Sequence, residues 1–85
     1  MSRVARVSRR SPALIEGART LSAGDRNSRV LRAQRLLFDA GYYDGPLDGR
    51  YGVVLSKAVR RYQADHDLNV TGDINPSTWE SMVTA

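Results

Sequence analysis

The side chains of this chain best suited to holding a ligand crowd into one stretch: Tyr42, Tyr43, Asp44, Asp48, Arg50 and Tyr51. Phenol rings offer flat apolar faces to a sugar ring or an apolar peptide stem and keep a hydroxyl as a polar handle. The neighbouring carboxylates and guanidinium suit a polar partner. Core closure competes for one or two of these tyrosines, because tyrosine is intermediate in burial, and Tyr51 is the first of them to be assigned inward.

Bond-breaking chemistry has no such constellation. His66 is the only histidine and sits between Asp65 and Asp67. A zinc centre draws on three or four converging ligands, so this triplet reads as a solvated helix end. The chain has no cysteine, which removes disulfides and thiolate metal sites alike. No pair of carboxylates falls in an enclosed apolar pocket that would drive their pKa values apart. The expectation is a protein that binds and does not catalyse, with no metal and no cofactor.

Charge is unevenly placed. Residues 1–20 carry Arg3, Arg6, Arg9, Arg10 and Arg19 against Glu16, which accounts for the whole net charge of +4. Residues 21–85 balance eight basic side chains with eight acidic ones. This is a basic arm on a neutral body, and specific nucleic-acid binding is not expected of it: the arm lacks interleaved aromatics and no helix shows a basic recognition face. Arginine forks pair equally well with carboxylates of a protein neighbour, so Arg3, Arg6, Arg9 and Arg10 are the expected partner-binding side chains.

Ser8-Arg9-Arg10-Ser11 has the look of a twin-arginine export signal. The apolar run that should follow, Pro12-Ala13-Leu14-Ile15, is stopped by Glu16 and Arg19. No stretch approaches the ~20 apolar residues of a membrane-spanning helix. The sequence therefore predicts cytoplasmic synthesis without signal peptide or membrane span.

The elements that must position these residues are helical. Met1 to Arg10 shows no helical stripe and is expected to be extended until a partner orders it, while Ser11-Pro12 can start a short turn through Glu16. Asn27 or Ser28 can cap a helix in which Val30, Ala33, Leu37 and Ala40 recur at helical spacing, and Gly41 ends it. A second helix is predicted from Val53 to Asp65, with Leu55, Ala58, Val59 and Tyr62 inward and Lys57, Arg60 and Arg61 outward. A third begins at Asn75-Pro76 and carries Trp79, Met82 and Val83, with Trp79 expected in the core. Gln34 and Gln63 occupy matching places on the first two helices, where each can tie its amide to loop backbone.

Leu47-Asp48-Gly49-Arg50-Tyr51-Gly52 precedes the second helix, and Val70-Thr71-Gly72-Asp73-Ile74-Asn75 precedes the third, without a gap between the two patterns. Glycine permits the bend, the flanking apolar residues are expected to turn inward, and the last residue caps the helix. One device used twice predicts an all-α domain at residues 21–85, preceded by an arm at residues 1–20.

The series Gly24-Asp25-Arg26, Val30, Gln34, Leu37, Gly41-Tyr42-Tyr43, Asp48-Gly49, Tyr51-Gly52, Ala58-Val59, Tyr62-Gln63, Leu68, Gly72, Pro76 and Thr78-Trp79 resembles the peptidoglycan-binding domain family. The resemblance covers residues 21–85 and implies a compact three-helix module that holds muropeptide material in a shallow groove beside its loops. Such modules usually accompany cell-wall hydrolases. The sequence departs from the family's pattern at Asn27, Ala33, Val53 and Leu55, and the last pair borders the groove that the resemblance implies. Two functions follow as expectations. One is a non-catalytic module that binds peptidoglycan. The other is a structural or decoration subunit of a phage capsid or tail, reusing the fold and docked on neighbouring subunits through its basic arm.

Overall fold

The computed structural model describes residues 19–84. Arg3, Arg6, Arg9 and Arg10 of the arm, and the turn expected at Ser11–Glu16, lie outside the described residues. Three helices follow in order: α1 (Ser28–Asp39), α2 (Val53–Asp65) and α3 (Pro76–Thr84). Leu21–Ile74 and Arg26–Arg50 form isolated antiparallel bridges.

Each helix starts for a local reason. The Asn27 side chain accepts from the Val30 amide at 3.0 Å, so the asparagine caps α1. Asn75 does the same for α3, accepting from the Thr78 amide at 2.9 Å, with Pro76 in the first turn. Gly52 starts α2 without a side-chain cap. At the end of α1, Gly41 takes φ +88° and the amides of Tyr42 and Tyr43 both reach back to the Leu37 carbonyl.

The apolar stripes close one core of Leu21, Val30, Ala33, Leu37, Tyr43, Tyr51, Leu55, Ala58, Val59, Tyr62, Ile74 and Met82. Full burial of a leucine such as Leu37 or Leu55 contributes roughly 1.5–3 kcal/mol. Two expected core positions differ. Ala40 falls at the C-cap and is exposed, and Trp79 packs on the core edge only half-buried, covered on one side by the Arg29 guanidinium at 5.0 Å.

The two repeated loops are held by the same set of bonds. Gln34 accepts from the Gly49 amide at 2.8 Å and donates to the Arg50 carbonyl at 2.9 Å and the Asp48 carboxylate at 3.1 Å. Gln63 accepts from the Gly72 amide at 3.0 Å and donates to the Asp73 carbonyl at 2.9 Å and the Thr71 hydroxyl at 3.3 Å. Gly49 and Gly72 sit at φ +75° and +84°, where a Cβ is strained. A third pre-helix turn precedes α1, where Gly24 at φ +100° stands three residues before the cap Asn27. The sequence reading found two copies of this device and missed the third.

One expectation about the repeats is corrected. Tyr51 and Ile74 turn inward, but Leu47 and Val70 are exposed. The space beneath each loop is filled by a glutamine amide, so the residue ahead of the glycine meets no apolar interior.

Two outcomes test this arrangement. Gln63→Glu replaces the N–H donor with a carboxyl that can still reach the Asp73 carbonyl only while protonated. Burial and those oxygens raise its folded pKa above the unfolded ~4.3. Stability is then fully present below the unfolded value and falls as pH rises through the folded one, by ~3 kcal/mol at neutral pH in urea melts. Gly49→Ala and Gly72→Ala each cost at least ~1 kcal/mol from left-handed backbone. Gly49→Ala costs more, because its Cβ meets the Asn27 backbone oxygen at 3.1 Å whereas that of Gly72 meets the movable Arg60 and Ser56 side chains.

Candidate functional site

Loop and helix meet at the start of α1. The Asn27 amide donates to the Gly49 carbonyl at 3.1 Å and the Tyr51 amide to the Asp25 carbonyl at 2.9 Å, which straps the Asp48-Gly49 loop alongside residues 25–27. A hollow of about 250 Å³ lies along this strap, lined by Arg26, Asn27, Ser28, Leu31, Asp48 and Gly49. The Arg50 amide and the Gln34 side chain hold the Asp48 carboxyl below its usual range, so it stays ionised well into acid.

A second hollow, of about 390 Å³, shares Asn27 and Ser28 with the first and is completed by Arg19, Thr20, Leu21, Asp25 and Arg29. Asp25 is fixed by accepting from the Ser22 amide at 2.9 Å, and Arg29 donates to the Arg19 carbonyl at 3.1 Å. The two hollows together bring guanidiniums, carboxylates, a hydroxyl and the positive end of the α1 dipole to one surface. Such a surface has the chemistry to pair with hydroxyl, amide and carboxylate groups.

The opposite end of α1 carries a separate cluster. Tyr42 donates from its hydroxyl to Asp65 at 2.7 Å and meets Tyr62 edge to face at 5.3 Å. His66 stacks on Tyr62 at 3.9 Å, and the Arg61 guanidinium lies 5.8 Å from the Tyr42 ring centre. The hydrogen bond to Asp65, with some burial, pushes the Tyr42 phenol up. Among the described residues no group of three or more His, Cys, Asp or Glu is placed to hold a metal ion.

The structure divides the six residues that the sequence grouped. Asp48 lines the first hollow, and exposed Arg50 adjoins it through the backbone bridge with Arg26. Asp44 is exposed elsewhere on the connecting loop, and Tyr42 stands past the far end of α1, a helix about 18 Å long. Tyr43 is buried, donating to the Pro46 carbonyl at 2.6 Å and accepting from Gln34, and its phenol is pushed up by burial. Tyr51 is buried too, donating to the Gly72 carbonyl, and burial raises it strongly. Neither ring offers a face to solvent. Leu55 is likewise interior, so of the two departures near the loops only Val53, 71% exposed, changes the surface.

The residues missed by sequence reasoning are Arg26, Asn27, Ser28, Leu31 and Arg29. The signal was the Gly24-Asp25-Arg26 turn, which counted in the sequence only toward the family resemblance and proves to be the partner of the Asp48-Gly49 loop.

Comparison with known proteins bears on the family and the fold. The model of a family described as "Putative peptidoglycan binding domain" matches residues 26–82. The Localization factor PodJL of Caulobacter vibrioides is 40% identical over 52 residues, a match that spans 61% of this chain and 5% of that protein. Among solved structures, the SleB N-terminal domain superposes with a TM-score of 0.77 at 27% identity, covering 79% of this chain and 92% of that one. A peptidoglycan-binding protein from Clostridioides difficile gives 0.74 at 27% identity, over 78% of this chain and 41% of its own. The Burkholderia AP3 phage endolysin gives 0.71 at 38% identity, over 75% and 24%. With the model covering most of the chain and the same three-helix fold in each of these structures, the chain belongs to the peptidoglycan-binding domain family.

Proposed function

We propose that the chain is a non-catalytic module that binds peptidoglycan at the start of α1. The observation that carries this reading is the pair of hollows sharing Asn27 and Ser28, framed by Arg19, Arg26, Arg29, Asp25 and Asp48. Peptidoglycan presents hydroxyls and amides along the glycan and carboxylates on its peptides, which are the groups this surface can pair. The family match and the presence of a peptidoglycan-binding protein and an endolysin among the structural relatives support the choice of ligand.

Binding without cutting follows from the chemistry of the site. Asp48 is held ionised by hydrogen bonds and is a poor general acid, and the tyrosines with raised pKa values are committed to internal partners. The arm adds attraction to anionic wall polymers, an electrostatic contribution that salt screens.

A pull-down of the full-length chain on insoluble peptidoglycan tests this at low and moderate salt. The expected outcome is binding that survives moderate salt, falls about tenfold when Arg26→Ala and Ser28→Ala are combined, and is unchanged by Tyr42→Ala. A loss confined to Tyr42→Ala would move the site to the other end of α1. Failure of the full-length chain to pellet would favour the assembly-subunit role, to be read next as incorporation into a particle.

A further inference from the structure

Helices α1 and α3 pack on each other along a seam that is closed at one end and hollow at the other. Arg29, near the beginning of α1, lies on Trp79 in the first half of α3. Leu36, Leu37 and Ala40, at the end of α1, line a hollow of about 260 Å³ with Met82 from the second half of α3, together with Asp39 and Tyr62. The two helices therefore run alongside each other in the same sense, and Leu36 and Trp79, one from each helix, are only partly buried against the core.

The chain enters the fold at the start of this seam. Arg19 is tied there by the bond from Arg29 to its carbonyl, and Leu21 by its pairing with Ile74. The residues just before it read Arg9-Arg10-Ser11-Pro12-Ala13-Leu14-Ile15-Glu16. We infer that this segment of the chain docks back along the α1/α3 seam, seating Leu14 and Ile15 in the hollow of Leu36, Ala40 and Met82.

Length and charge both fit. Leu14 and Ile15 stand four to five residues before Arg19, at most about 17 Å of extended chain. Leu36 stands seven residues beyond Arg29 on α1, about 10 Å along the helix. Glu16 falls beside Arg29, whose Nε is closed off from solvent with no acceptor among the described residues, and a carboxylate there supplies one. Arg9 and Arg10, further from the anchor, reach Asp39 on the rim of the hollow and Asp65 beyond it. The segment thus matches the seam in order: acid against base near the anchor, apolar in the middle, base against acid at the far end. The inference does not rest on peptidoglycan binding, although the start of the seam shares Arg19, Leu21 and Arg29 with the larger polar hollow.

The chain has no cysteine, so a nitroxide on Ala13→Cys in the full-length protein reports from one place. The expected result is loss of most of the amide signal of Leu36, Ala40, Met82 and Val83 in the same molecule, and recovery of those signals when Leu14→Asp and Ile15→Asp are added. Spin-labelled protein without isotope, mixed with isotope-labelled wild type, separates the sources. Broadening of Leu36 and Met82 in the mixed sample at equal strength would overturn the inference in favour of docking between two copies. Broadening limited to residues next to Arg19 would overturn it outright.

Discussion

The fold hangs on two buried side-chain amides. A primary amide presents a donor and an acceptor side by side, the same pair of groups a peptide presents, so one glutamine can satisfy two backbone positions of a loop at once. Gln34 and Gln63 are both fully buried and both do this, each accepting from a glycine amide and donating to the carbonyl one residue on. Neither partner is tolerable alone. A buried amide without partners costs a few kcal/mol, and so do the inward-facing peptides of a loop that belongs to no helix or sheet. Helix and loop therefore solve each other's desolvation problem, and an all-helical domain of this size acquires rigid connections that helix packing alone does not supply.

Much of this was legible in the residues. The limits of α2 and the starts of α1 and α3 fall where caps, glycines and the proline put them, because those signals act through local backbone geometry. The structural role of Gln34 and Gln63 followed from their matching places on apolar helix faces. The orientation of Leu47 and Val70 did not follow, since hydrophobicity predicts inward turning only where apolar space exists, and beneath these loops the glutamine amides take it. Trp79 misled in a similar way: its spacing is that of a core residue, but it packs at the core edge only half-buried, with a guanidinium over one face.

The candidate site was less legible than the fold, and for a specific reason. Proximity in sequence grouped Tyr42 with Tyr51, yet these positions follow one helix and precede the next, so the chain between them travels the length of α1. What assembles the polar surface is pairing between the Asp25–Asn27 turn and the Gly49–Tyr51 loop, a contact across more than twenty residues that no local pattern encodes. The chemistry of a tyrosine, a large apolar ring with one polar tip, then served the interior: Tyr43 and Tyr51 use their hydroxyls to fasten loop carbonyls.

The candidate site and the loop clamp consequently share atoms. Asp48 is at once a wall of the polar hollow and an acceptor for Gln34 and the Arg50 amide, so its carboxylate is oriented before any ligand arrives. Preorganisation of this kind lowers the ordering cost of binding, because the loop does not have to be fixed when the ligand arrives. It also constrains change. Substitutions at Asp48 or Gly49 alter the clamp as well as the surface, whereas Arg26, Ser28 and Val53 vary the surface while leaving the clamp intact. The exposed Val53 is a departure of this second kind, whereas the buried Ala33 and Leu55 change the interior and leave both the clamp and the surface as they are, so the interior and the surface of this fold can vary separately.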